Sequence, residues 1–376
     1  MRNVLVTGGA GYIGSHLVDT LLTRGYCVRV LDNLEPQVHR SGAWPSYANP
    51  RAEYVRGDVR DRFVLEPLVL ASDAVVHFAA AVSVGQSMYQ VDRYVDVNTR
   101  GTALLLDILV NAKHRVQKVL VASSIGVYGE GAYRCEAHGV VAPSIRPEAQ
   151  LASRDWEQRC PVCRASVVSV PTPEDKPLYR DNIYSMTKYH QEEMVLLIGR
   201  TYGIPAVAPR FFNVYGPRQS LSNPYAGVAA IWLSRLLNGR QPVVFEDGGQ
   251  LRDFVSIHDV VDCLVLMLEE SGADFLPVNV GSGETVTILE IARLLGRLLG
   301  TEIEPLVTQT GRRFDIRHNT ADISRAVTTL GFRPKVSLQE GFAELIEWAR
   351  TTPDVAVDFF DRAFDELSAK GLLVRS

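Results

Sequence analysis

The chain has 376 residues, 46% of them hydrophobic and 22% charged, and a formal net charge of −4. That length fits two domains, or one large domain with a lobe attached. The mild acidity gives no reason to expect nucleic acid or an anionic membrane as partner. No apolar run reaches the roughly 18 residues of a spanning helix; the richest, Phe63 to Val82, is broken by Glu66, Pro67, Asp73 and His77. At the N-terminus a short apolar run leads at once into Gly8, Gly9 and Gly11. That is a strand entering a loop and not a signal peptide, so a cytoplasmic location is expected.

The first 130 residues alternate strand and helix patterns. Val4–Val6 is predicted as a strand, then a glycine turn, then a helix carrying Leu17, Leu21 and Leu22. Val28–Leu31 is the second strand and Tyr54–Val55 belongs to a third. Ala74–Ala80 and Lys118–Ser124 read as continuous apolar strands, with a helix over Asn98–Asn111 between them. Apolar strands with intervening helices imply a parallel sheet covered on both faces. The expected fold class is therefore α/β, a Rossmann-type doubly wound parallel sheet.

After Gly129 the alternation stops for about forty-five residues, which is long for a connection inside a compact domain. It resumes with a helix over Tyr184–Tyr202 and a strand over Ala206–Val214. Val228–Leu237 and Ile288–Leu299 read as helices of a smaller C-terminal, substrate-binding lobe, and the tail from Pro353 as one more amphipathic helix. The expected division is 1–214 for the cofactor domain, with an insertion over 131–178, and 215–376 for the lobe, with 254–283 returning to the cofactor domain.

Gly8, Gly11 and Gly14 stand between the first strand and its helix. The first permits a tight turn, the second lets backbone approach a pyrophosphate at the positive helix end, and the third lets helix and sheet pack closely. Asp32 closes the second strand, where a carboxylate binds the adenosine ribose hydroxyls and repels a 2′-phosphate. Asn33 and Leu34 follow without an arginine, so NAD is favoured over NADP. Asp58, after the third strand, either holds the adenine amino group or lies on a surface turn.

Tyr184 and Lys188 lie one helical turn apart, on one face. A phenol is a poor base at neutral pH unless a cation stabilises its phenolate, and Lys188 can supply that charge while reaching the nicotinamide ribose. Ser124 ends the fifth predicted strand, where open parallel sheets deliver residues to their crevice, and can hydrogen-bond the sugar oxygen whose proton moves.

With these residues in place the chain resembles the extended short-chain dehydrogenase/reductase family, in particular its nucleotide-sugar epimerases and dehydratases. The matching pieces are Thr7–Gly14, His77–Ala80, Asn98–Thr102, Ser123–Gly129, the Tyr184/Lys188 pair, Arg210–Arg218 and Arg252–Val255. The resemblance implies that Ala79, Asn98 and Ser123 line the cofactor cleft, beside Tyr12, Ile13, Val59, Phe78 and Ala80. It implies that Asn213 and Arg252 face the substrate diphosphate, with Arg312 and Arg317 as further partners; an arginine fork suits a diphosphate better than lysine does. It also implies a homodimer formed through the helices near 98–112 and 184–201.

Members with dehydratase activity carry Asp-Glu directly after the serine or threonine, whereas Ile125-Gly126 stands here. Without that acid–base pair the remaining residues support epimerisation at C4 through a transient 4-keto sugar. Dehydration and net keto-sugar reduction are the rivals within the enzyme class. A non-catalytic NAD sensor is the rival outside it, and the retained Ser124, Tyr184 and Lys188 speak against that.

Five cysteines are present. Cys27 and Cys263 lie in apolar-periodic segments and read as core residues. Cys135-x-x-His138 and Cys160-x-x-Cys163 share the insertion and match a tetrahedral structural zinc with no open position, giving a zinc-ribbon-like insertion. The insertion looks too poor in large apolar residues to fold on burial alone, a lack that a metal would make good. A free Cys-x-x-Cys redox pair beside a surface histidine is the alternative. The insertion, its Pro171–Pro177 run and Asn223–Val228 are similar to the dTDP-L-rhamnose 4-epimerase branch of the family.

Overall fold

A computed structural model of the chain describes residues 1–225, 227–352 and 357–374. Its centre is one parallel sheet in the order Leu276–Val280, Ala206–Phe211, Lys118–Val121, Ala74–His77, Asn3–Thr7, Cys27–Asp32, Glu53–Arg56. The inner strands are buried on both faces, as their unbroken apolar runs require. Helix Tyr12–Thr23 and helix Ile257–Glu269 cover one face with a shared core of Leu17, Leu21, Val260 and Leu264. Helices Arg62–Leu70, Gly101–Asn111 and Ile183–Tyr202 cover the other through Leu65, Leu105 and Val195. Strand order reverses between Asn3–Thr7 and Ala74–His77, and ligand crevices of doubly wound sheets open at that point.

Several elements differ from the pattern read in the sequence. Lys118–Ser124 is two strands, Lys118–Val121 and Ser123–Ser124, because the partner residue facing Ala122 in register is Pro209, which has no N–H to continue the ladder. The helix expected from Asn98 begins earlier, as Val91–Tyr94, and widens into a π turn over Val95–Arg100 before Gly101–Asn111. Cys263 is buried as expected, but Cys27, at the start of strand Cys27–Asp32, is exposed. The tail helix is found at Phe360–Ala369; its expected start at Pro353 lies outside the described residues.

The C-terminal lobe packs helices Val228–Leu237, Ile288–Leu299 and Leu338–Thr351 around Trp232, Leu295, Phe342 and Leu345. The insertion forms a three-stranded antiparallel sheet, Gly139–Val141, Ala132–Cys135 and Val168–Val170, with a short helix Glu148–Ala152. The expectation that it lacks apolar support is corrected, since it buries Tyr133, Leu151 and Trp156. A buried ion network then fastens it to the lobe. Arg146 meets Glu246 at 2.7 Å with both side chains fully buried, and Arg317 meets Glu246 at 3.0 Å and Asp247 at 2.7 Å. Such pairs add little net stability when whole, but losing one partner costs about 3–5 kcal/mol, so they fix where the insertion sits.

Candidate active site

A cavity of about 790 Å³ opens at the strand-order reversal. Its inner end is the glycine turn. Gly8 has φ +70°, and a Cβ there would stand 2.7 Å from the Ala79 nitrogen; one at Gly14 would stand 2.5 Å from the Gly8 carbonyl oxygen. Gly11 is the N-cap of helix Tyr12–Thr23 and caps it with no side chain, so the first N–H groups of the helix stay open to an anion. Tyr12, Ile13, Phe78, Ala79 and Ala80 line the same end.

Asp32 lies on the cavity wall and is held by two backbone donors, Ala10 N–H at 3.1 Å and Leu34 N–H at 2.9 Å. Each carboxylate oxygen keeps a lone pair for a ribose hydroxyl. Asn33, Asp58 and Val59 also line the cavity. Asp58 is occupied by Arg60 at 2.7 Å and by Asn33 at 3.1 Å, and the Arg60 hydrogen bonds bring its pKa down to about 2.

At the other end Ser123, Ser124, Tyr184 and Lys188 meet on the wall. Asn182 caps helix Ile183–Tyr202 by accepting from Ser185 N–H at 2.8 Å, and the Tyr184 N–H donates to Ser87 Oγ at 3.0 Å. Burial raises the Tyr184 pKa, opposed by a hydrogen bond from Ser124. Burial likewise lowers Lys188, to about 7, opposed by the Glu192 charge. Its ammonium donates to Gln191 Oε1 at 2.7 Å. Desolvation therefore favours the neutral form of both groups, and Lys188 is joined to a buried polar network.

No sequence motif announces that network. Gln191 also donates to Thr102 Oγ1 at 2.8 Å, and His77 links Thr102 at 3.0 Å to Thr7 at 2.8 Å. Burial first, and then the Lys188 charge, lowers the His77 pKa to about 3, so the ring is a neutral bridge. Ser123 donates to Glu192, which pairs with Arg210 at 2.5 Å. Gln191 and Glu192 follow Lys188 on the same helix, a polar stripe too generic to single out beforehand.

Two expected site residues lie elsewhere. Asn98 does not line the cavity; fully buried behind it, it binds Ala81 N–H at 2.7 Å, the Ala81 carbonyl at 3.0 Å and Thr187 Oγ1 at 3.0 Å, joining the cleft wall to helix Ile183–Tyr202. Arg317 also lies off the cavity, because Glu246, Asp247 and Glu157 hold its whole guanidinium in the ion network. Asn213, Arg252 and Arg312 do line it. Asn213 donates to the Asp253 carbonyl at 2.8 Å, and Asp315 takes Arg312 at 2.7 Å and Arg252 at 3.6 Å.

Away from the cavity, one ligand atom each of Cys135, His138, Cys160 and Cys163 falls within 4.8 Å of the others. Cys135 Sγ is 3.5 Å from His138 Nδ1 and 3.7 Å from Cys163 Sγ. Backbone N–H groups of Cys163 and Val162 lower the Cys160 pKa to about 6, which favours its thiolate. Among the described residues no helix is long and apolar enough to cross a membrane.

Known proteins resemble this arrangement along most of the chain. The sequence pattern of the NAD dependent epimerase/dehydratase family matches residues 4–145 and 165–281. A dTDP-L-rhamnose 4-epimerase from Burkholderia thailandensis is 35% identical over 351 residues, 92% of this chain and 94% of that protein. A dTDP-glucose 4,6-dehydratase from Actinoplanes is 28% identical, over 92% of this chain and 97% of that one. The crystal structure of a UDP-glucose 4-epimerase from Thermotoga maritima with UDP-glucose superposes with TM-score 0.76 at 31% identity, covering 94% of this chain and all of that one. A UDP-glucuronic acid 4-epimerase from Bacillus cereus, in complex with UDP-glucuronic acid and NAD, gives 0.75 at 25% identity, covering 93% and 100%.

The Asp32 geometry predicts cofactor choice. The wild type should bind NAD well ahead of NADP, and Asp32→Ala should narrow that gap, as read by fluorescence titration of both. Equal wild-type affinities would remove Asp32 from this role.

Proposed function

The chain belongs to the NAD dependent epimerase/dehydratase family, and from that premise we propose that it inverts C4 of a nucleotide-linked sugar, with NAD as cofactor. The observation that carries this reading is Gly126. A Cβ at that residue would stand 2.8 Å from Ser185 Oγ and 3.4 Å from Ser124 Oγ, so a side chain there would sit beside the reacting serine. Glycine leaves that position without an acid or base, and elimination needs one. Redox-neutral inversion needs only Ser124, Tyr184 and Lys188.

The glycine turn, the open end of helix Tyr12–Thr23 and Asp32 would hold the pyrophosphate and ribose of NAD, and Lys188 its second ribose. NAD supplies the hydride acceptor and donor when bound. Ser124 holds the C4 oxygen, and Tyr184 takes its proton and later returns it to the 4-keto sugar. Arg252 and Arg312, drawn off Asp315, would meet the substrate diphosphate, and Asn213 would hold its edge. We assign 1–214, with 254–283, to the cofactor and the rest mainly to the substrate. Because the Burkholderia relative is a dTDP-L-rhamnose 4-epimerase, dTDP-L-rhamnose is the first substrate to try.

Two structural roles go with this reading. Two buried and two exposed ligands in one compact tetrad fit a closed structural zinc that ties the insertion's knuckles together. Met186 and Leu197, 40% and 60% exposed on the catalytic helix, support a homodimer packed through that helix and Gly101–Asn111.

Incubation with a panel of dTDP-, UDP- and GDP-hexoses, with products read by NMR, should give a C4 epimer and no 4-keto-6-deoxy product; accumulation of the latter would make the protein a dehydratase. Tyr184→Phe should keep its NAD and lose about 10²–10⁴ in turnover, and near-normal activity would remove Tyr184 from the chemistry. Protein purified without added metal should carry about one zinc per chain; less than about 0.2, with no loss of order on chelation, would exclude the site. Light scattering at micromolar concentration should give twice the chain mass, and a monomer would contradict the dimer.

A further inference from the structure

The tail helix Phe360–Ala369 and the Asn223–Val228 run take no part in the chemistry above, yet both reach the cavity, through Phe360 and Leu367 and through Asn223 and Tyr225. A third part of the wall comes from segment 83–94 of the sheet domain, with Val84, Gly85, Met88 and Arg93. These three pieces are tied to one another. The Tyr89 and Tyr225 hydroxyls lie 3.1 Å apart, and both donate to the Glu366 carboxylate, Tyr89 at 3.1 Å. Beside them Leu367 packs on Gly85 so closely that a Cβ at residue 85 would stand 2.7 Å from its Cδ2. A second tie runs through Gln37, which accepts from Gln86 at 3.1 Å and donates to Asn223 at 3.4 Å.

The ties join the sheet domain to the lobe by side chains alone, with no shared strand. The Glu366 tie is the stronger, because a carboxylate that accepts two phenols makes charge-assisted hydrogen bonds. It stands next to the reacting end. From the same segment Ser87 Oγ accepts the Tyr184 N–H at 3.0 Å, and the Tyr94 ring meets the Tyr184 ring edge-on, 6.5 Å between centroids. Inversion sets a demand there that a one-way reaction does not. The keto sugar must present its other face before the hydride returns, and while it turns it cannot keep all its hydrogen bonds. If it leaves, the C4 hydride stays behind on the cofactor and the O4 proton on Tyr184. Each keto sugar lost therefore leaves one cofactor reduced and the site unable to start again.

We propose that Glu366, Tyr89 and Tyr225 form a clasp that keeps the cavity closed on the keto sugar until the hydride returns. This rests on the epimerase reading and adds to it a part for the C-terminal helix, which is a strap across the cavity wall. The three residues act by retention and touch no reacting atom.

The test uses the full chain as wild type, as Glu366→Ala, and as the pair Tyr89→Phe and Tyr225→Phe, so that the clasp is undone from either side. With an accepted nucleotide sugar, free keto sugar is trapped by hydroxylamine as its oxime and counted by mass spectrometry, and reduced cofactor is followed by its absorbance. Both variants should release about tenfold more keto sugar per epimer formed than the wild type, the scale set by losing hydrogen bonds to a charged group. Reduced cofactor should build up in equal amount. A general loss of stability lowers turnover and leaves that ratio unmoved. A ratio unchanged in either variant overturns the clasp and leaves the epimerase reading standing. A wild type that inverts no nucleotide sugar overturns both.

Discussion

The close passage of the glycine turn beneath the backbone at Ala79 is the constraint on which the rest of the site depends. The turn after the first strand must cross under the chain leaving the fourth, with no room for a Cβ at Gly8 against Ala79, and helix Tyr12–Thr23 must start against the turn itself, with no room for one at Gly14. Because turn and chain can pass, helix Tyr12–Thr23 starts at the point where strand order reverses and presents unpaired N–H groups to the cavity. The same turn sets the Ala10 N–H against Asp32, at 3.1 Å, so it also positions that carboxylate on the cavity wall. Any larger residue at Gly8 would need both a left-handed backbone and displaced neighbours.

At the reacting end the problem is electrostatic. Tyr184 and Lys188 are taken out of water, and burial works against the charge on each. The protein answers with preorganised partners behind the pair: Gln191, Thr102 and neutral His77 on one side, Glu192 and Arg210 on the other. A buried polar network of this kind holds donors and acceptors in one arrangement, because any other would leave some of them unpaired. Where Arg252 and Arg312 line the cavity, Asp315 pairs with Arg312 at 2.7 Å, and backbone carbonyls of Leu251, Ile316 and Arg317 hold Arg252.

What could be read from sequence follows from how local the cause is. The glycine spacing, the apolar strands and the one-turn Tyr184/Lys188 separation are encoded in consecutive residues, and the structure places them together. Arg317 and Arg312 look equivalent in the chain. Only the fold shows that Glu246, a residue distant in sequence, claims the first and leaves the second beside the cavity. The resemblance places Asn98 at the cleft, but its side chain is buried behind the wall on Ala81 and Thr187, partners that no periodicity announces. The insertion looked poor in apolar residues because its few large ones, Tyr133, Leu151 and Trp156, are brought together only in space. The C-terminal helix carries no chemical signature at all, and its place on the cavity wall comes from Gly85, Tyr89 and Tyr225.

C4 inversion as proposed requires that one hydrogen leave C4 of the sugar and return to the same carbon from the other face without meeting solvent. The most direct measurement uses an accepted nucleotide sugar carrying deuterium at C4, in ordinary water, with the epimer analysed by NMR and mass spectrometry. Full retention of deuterium at C4 of the product, with no reduced cofactor accumulating, is the predicted result. Loss of the label to solvent, or a product carrying it at another carbon, would contradict the claim.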